Sequence, residues 1–234
     1  MKIKILFILL LVPWLAFSQK QKVKNNSVYD MKTIHFGFTV GLNTLDFALY
    51  PSKTAVDSAI IPNATVLHPG FNINVVSSLR LNKHMNLRFL PGISFGQRTI
   101  HYYDKYSGEV FSKNQKIESS FLEFPLIIKY KSERINNFRP YLIAGLNYRL
   151  DLAAKKEYDL EKQNYVRLKR SDMYTEVGFG IDFFLLYFKF STELKYSIGS
   201  RNVLVDEPVP VYEYYVNSID KLKSRMWILS FHFE

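Results

Sequence analysis

The 234-residue sequence contains no cysteine. That excludes a disulfide framework, and with it the acylated cysteine that anchors a lipoprotein. After the first eighteen residues no uninterrupted apolar run approaches the roughly 20 residues of a membrane-spanning helix. There is no HxH, HExxH or CxxC pattern and no glycine-rich loop of the kind that cradles phosphate, so neither a metal nor a cofactor is expected. No stretch has the composition of a linker between domains. Acidic residues are in the minority, 21 against 31 lysines and arginines, and by charge alone that excess suits an anionic membrane surface or a nucleic acid equally well.

What is present begins with Lys2 and Lys4, an apolar run over residues 5–12, a Pro13-Trp14 break, and Ala16-Phe17-Ser18 before Gln19. This is the layout of a secretory signal peptide, residues 1–18, cleaved after Ser18; its apolar core is too short for a retained anchor. Export argues against nucleic acid as a partner. The net charge is +10, of which the two signal lysines account for two, leaving +8 on the exported chain. Residues 19–32, with Lys20, Lys22 and Lys24, are expected to form a periplasmic N-terminal segment, and residues 33–234 a single domain.

Aromatic residues are abundant: 19 Phe, 16 Tyr and 2 Trp. A chain that crosses a membrane without apolar helices does so with strands of about 9–11 residues whose side chains alternate between lipid and lumen. Residues 172–183 show that alternation best, with Met173, Thr175, Val177, Phe179, Ile181 and Phe183 against Asp172, Tyr174, Glu176, Gly178, Gly180 and Asp182. The same period of two runs through residues 33–43, 71–81, 85–98, 122–130, 138–150, 188–197 and 223–233. These are eight segments, the even number that a closed antiparallel barrel requires. Long connections, 44–70, 99–116, 151–171 and 198–222, alternate with short ones near 82–84, 131–137 and 184–187, as extracellular loops alternate with periplasmic turns. The fold expected is all-β, an eight-stranded antiparallel transmembrane β-barrel of the small outer-membrane type, in the cell outer membrane. A soluble barrel would show the same alternation with its faces reversed. Bulky aromatics on the apolar face, long loops on one rim and an aromatic last strand ending at Phe233 favour the membrane form.

On that reading the polar face lines a narrow bore. Arg88, Arg98, Glu123, Lys129, Arg139, Arg149, Glu176, Asp182, Lys189, Glu193 and Lys195 then point inward, together with Arg80. Eight strands leave room for side chains but not for an aqueous pore, and charges removed from water need partners. A structural ionic plug is therefore expected in place of an ion path.

No catalytic residue is assigned and no enzyme is expected. His101, in His101-Tyr102-Tyr103-Asp104 at the outer rim, is the best candidate for lipid-modifying chemistry, set against an ordinary interfacial aromatic belt. His35 and His232 are expected to be hydrogen-bonded packing near the closing strands. The basic run Arg167-Leu168-Lys169-Arg170, with Lys155 and Lys156, suits solvated loop charge, lipopolysaccharide or a partner. Val209, Val211, Tyr212, Tyr214 and Tyr215, in loop 198–222, are more apolar than a free loop should be and form the candidate partner contact.

Residues 116–132 (KIESSFLEFPLIIKYKS) and 137–145 (NFRPYLIAG), continuing through 150–153 (LDLA), 176–182 (EVGFGID) and 188–197 (FKFSTELKYS), resemble the PorT family of Bacteroidetes outer-membrane barrels. The Glu-Phe-Pro and Arg-Pro-Tyr elements recur among small barrels generally, whereas 150–153 and 188–193 are more particular. The resemblance implies an assembly or accessory component of the type IX secretion system, with other subunits of that system as partners and a link to gliding motility. It implies no catalytic residues.

Overall fold

The computed structural model describes residues 24–52, 60–104, 106, 115–154, 167–205 and 218–234. The signal region, and the loop residues Lys155, Lys156, Val209, Val211, Tyr212, Tyr214 and Tyr215, lie outside them. A short 3-10 helix, Ser27–Met31, precedes nine antiparallel strands: β1 Ile34–Pro51, β2 Ile60–Arg80, β3 Met85–Phe89, β4 Gly92–Asp104, β5 Gln115–Lys131, β6 Phe138–Asp151, β7 Ser171–Phe184, β8 Lys189–Gly199 and β9 Ile219–Phe233. β1 pairs with β2 on one side and with β9 on the other, so the sheet closes.

The barrel has eight staves, because β3 and β4 are two halves of one. Phe89 stands opposite Ser77 and Gly92 opposite Asn74, so the register is unbroken across Leu90-Pro91. Pro91 has no N–H to give the ladder, and the Asn74 side chain instead donates to the Leu90 carbonyl at 3.1 Å.

The strands are longer than bilayer thickness alone predicts. β1, β2 and β5 run to 18, 21 and 17 residues, and residues 44–51, 60–70 and 99–104, expected as loop, are strand. The apolar outer band accounts for the bilayer. On β1 it covers Ile34, Phe36, Phe38, Val40 and Leu42, all exposed; at about 3.4 Å per residue and a tilt of about 40° it is about 21 Å tall, near the 25 Å of such bands. Above Leu42 the wall rises out of the hydrocarbon. Trp227 and Tyr196, rings 4.6 Å apart, mark the upper interface. No helix among the described residues is long and apolar enough to cross a membrane.

The interior is stacked in layers and is not uniformly ionic. Val76, Leu90, Ile127, Tyr141 and Ile143 form one apolar layer, and Leu45, Phe121, Met226 and Ile228 a second. Gly180 makes space within the first, since a Cβ there would lie 2.5 Å from the Tyr141 hydroxyl.

Candidate functional site

The period-two pattern places the eleven charged side chains named above in the interior, all of them buried. They are brought together in pairs. Glu176 is the hub of the upper network: it accepts from Arg149 Nη2 at 2.8 Å, Asn147 Nδ2 at 2.8 Å and Ser197 Oγ at 3.3 Å, and lies 3.5 Å from Lys195 Nζ. Arg149 also reaches Glu123 at 2.9 Å, and Glu123 accepts from Ser94. Lower down, Arg88 pairs with Glu193 at 2.9 Å, to which the Tyr141 hydroxyl donates at 3.0 Å. Lys129 pairs with Asp182 at 2.7 Å and lies 3.5 Å from the centre of the Tyr141 ring, so one aromatic side chain serves two ion pairs.

Seven cations and four carboxylates make up the set expected from the strands. Three further carboxylates redress the imbalance, each from outside the segments where alternation was visible. Asp151, the last residue of β6, approaches Arg98 at 3.9 Å. Glu234 continues the last strand by one residue, backbone-paired with Lys189, and its buried side chain meets Lys189 at 2.9 Å and Arg88 at 3.4 Å. Asp30, in the 3-10 helix, pairs with Arg139 at 2.7 Å and with Arg134 at 3.4 Å. Parity extended by one step from Arg149 and His232 was the available signal for Asp151 and Glu234, and charge balance for Asp30, since a bore with an excess of cations needs acids from its rims.

Asp30 belongs to a plug at the periplasmic end. Residues 24–32, part of the expected periplasmic N-terminal segment, lie back on the barrel. The Tyr29 ring stacks on His35 at 3.8 Å; its hydroxyl donates to Glu234 at 2.7 Å and accepts from Lys189 at 2.7 Å. Arg80 donates to the Asp30 carbonyl, and Asn25 bonds to Asn137 and to the Phe184 carbonyl. Burial pushes the Tyr29 phenol up, and Glu234 pushes it the same way. Burial also opposes ionisation of Glu234 and Asp30, but Lys189 and Arg88 hold the first carboxyl well below the usual range, and Arg139 and Arg134 hold the second below it.

The outer end is closed as well. Residues 167–169 and 203–205 bond to one another across a Leu168↔Leu204 bridge, and Val203 and Leu204 are buried against Phe47, Ile100, Tyr102, Ile219 and Leu222. The near part of loop 198–222 is therefore a lid on its own barrel, not an apolar surface offered to a partner; its apolar side chains are accounted for by burial.

Among the described residues the histidines stand apart from one another. His101 and Tyr103 share the outer face of β4, whereas Tyr102 is wholly buried inside, so the three side chains do not converge. His232 Nδ1 is 2.6 Å from Thr39 Oγ1, and its Nε2 is 3.4 Å from Glu193. Among the described residues no cluster of three or more metal-ligating side chains exists.

Among the described residues, segments dock at both ends of the bore and paired charges fill its middle. The family model for the outer membrane protein beta-barrel domain matches residues 17–204. The chain belongs to that family. It is a small outer-membrane β-barrel protein, and its location is the outer membrane. Solved structures similar to it include the outer membrane protein OprG of Pseudomonas aeruginosa (12% identity, 92% of this chain and 96% of that one, TM-score 0.46). Neisserial surface protein A matches at 12% identity over 86% and 98% of the two chains (TM-score 0.43), and Ail, the attachment invasion locus protein of Yersinia pestis, at 14% over 87% and 99% (TM-score 0.37). Comparison with curated proteins returns no match. For this barrel-domain protein, planar-bilayer recordings on purified material are expected to show no large, stable open channel; a steady conductance would mean that the pairs and caps do not seal the lumen.

Proposed function

We propose that this protein is a non-enzymatic scaffold of the outer membrane that serves the type IX secretion system as an assembly or accessory component. The observation that carries the reading is the sealed bore. A barrel filled by Arg88, Lys129, Arg149 and their carboxylates passes neither folded nor unfolded cargo, so its work is done on its outer wall, loops and periplasmic plug. The likeness of residues 116–132, 150–153 and 188–197 to the PorT family points to secretion, and to gliding where the bacterium glides, as the process served. Its partners on this reading are other secretion-system subunits, together with outer-membrane lipid and lipopolysaccharide. An in-frame deletion is expected to leave proteins with C-terminal sorting domains inside the cell or bound to it, with secretion restored by the intact gene. Unchanged cargo secretion in the deletion strain, with no secretion subunit copurifying from solubilised membranes, would leave a general structural or adhesive barrel instead.

A further inference from the structure

The ladder between β1 and β2 stops short of the outer rim. β1 and β2 are hydrogen-bonded from Ile34↔Leu79 only as far as Leu45↔His68. Beyond that point β1 continues against β9 alone, up to Pro51, and β2 against β4 alone, from Ile60. The two strands splay, and the notch between them holds about 380 Å³, within the roughly 300–1,000 Å³ of small-molecule sites. Phe47, Leu49, Pro51, Pro62 and Ala64 line it, with Asn63 as a polar edge. Its height is set by the register: Asp46 is opposite Arg225, and Thr44 opposite Trp227. The notch therefore begins immediately above the Trp227–Tyr196 interface pair, at the level of outer-leaflet headgroups.

The adjoining strand is cationic at that level. Above Trp227 the outward positions of β9 are Arg225, Lys223 and Lys221, about 5 Å apart in height. Arg225 lines the notch; one nitrogen bonds to Asp46 at 2.7 Å and to the Phe47 carbonyl, while its Nε, buried, meets no partner. Lys221 lies 3.8 Å from exposed Asp220. Lys223 has no anionic partner among the described residues.

We propose that the notch and the Lys223–Arg225 cations form a binding site for the phosphorylated sugar headgroup of an outer-leaflet glycolipid. The carbon faces of a sugar ring fit the proline- and leucine-lined walls, Asn63 and Asp46 suit its hydroxyls, and its phosphate meets Lys223 beside the Arg225 guanidinium. An extended peptide completing the free edge of β1 is the competing occupant, and the cation ladder beside the notch favours phosphate.

The test uses the full-length protein in detergent, titrated with a diphosphorylated lipid A-type glycolipid, its dephosphorylated form, and phosphatidylglycerol, with binding followed by native mass spectrometry. The diphosphorylated glycolipid is expected to bind at one site. Affinity should fall on the order of tenfold in Lys223→Gln, the weight of one charge-assisted hydrogen bond, and also in Leu49→Trp, which fills the notch without changing charge. Thermal unfolding of each variant checks that the barrel is intact. Equal binding of the dephosphorylated form, equal binding of phosphatidylglycerol, indifference to Leu49→Trp, or a copurifying peptide seated along β1 would each overturn the proposal.

Discussion

Replacing Glu176 by alanine is expected to destabilise the barrel by about 3–5 kcal/mol, the cost of stranding buried charge. Glu176 is fully buried and takes hydrogen bonds from Arg149, Asn147 and Ser197 while facing Lys195. Removing it leaves Arg149 with Glu123 alone and Lys195 with only the 3.9 Å contact to Glu193. Glu176→Gln keeps the shape but not the charge and should fall between alanine and wild type. The double change Arg149→Met, Glu176→Leu removes charges together and should cost less than Glu176→Ala alone, because the desolvation cost of two ions disappears with their attraction. Urea unfolding of the four proteins in lipid vesicles gives the order. If Glu176→Ala unfolded at the wild-type midpoint, the bore would be hydrated enough to solvate Arg149 and Lys195, and the plug would be an open, wet lumen.

The periplasmic plug is expected to hold at neutral pH and to release at both extremes. Asp30, with its carboxyl held below the ordinary 3.8, contributes docking energy that is present above that value and lost as pH falls through the depressed one. Glu234 acts in the same direction. Tyr29 has the opposite sign: its phenol lies above the ordinary 10.0, so its contribution is complete below pH 10.0 and is lost as pH rises toward the shifted value. Because the sequence lacks cysteine, Val28→Cys carries a unique spin label on a residue that points into solvent. The label should be restrained near neutral pH and become mobile as pH falls through the depressed values of the two carboxyls. Asp30→Asn should loosen it at neutral pH by about 1–2 kcal/mol of docking energy, a modest figure because a third of that carboxylate faces water. High salt should weaken the Asp30 contribution and leave the stacking of Tyr29 on His35 untouched. A label equally mobile in all these conditions would mean that residues 24–32 do not dock.

Much of the wall could be read from spacing because a strand's side chains alternate strictly. Phe36, Phe38 and Val40 against His35 and Thr39, or Leu142 and Leu146 against Ile143 and Asn147, take their faces from parity alone. Strand ends were not legible. Above the hydrocarbon the outward face no longer needs to be apolar, so Thr44, Asp46 and Ala48 continue β1 without any contrast to reveal it. The break at Leu90-Pro91 and the splay of β1 from β2 were hidden for a related reason: both depend on which backbone groups find partners.

By itself the amino-acid sequence determined the class of the molecule: no cysteine, no apolar run after residue 18 long enough for a crossing helix, and eight alternating segments whose charged faces had to be enclosed. It also determined which charged residues share the interior. Only the tertiary structure decided how they are neutralised. Asp30 lies outside any alternating segment, and the fold alone carries it to Arg139; Asp151 and Glu234 each follow an inward residue by two, and the β8–β9 register sets Glu234 beside Lys189. Closure likewise buried Val203 and Leu204 against the barrel's outer apolar cluster. Alternation is local and needs only neighbouring residues, whereas ion pairing across a bore joins positions more than a hundred residues apart, such as Arg88 and Glu193, and exists only once the sheet has closed.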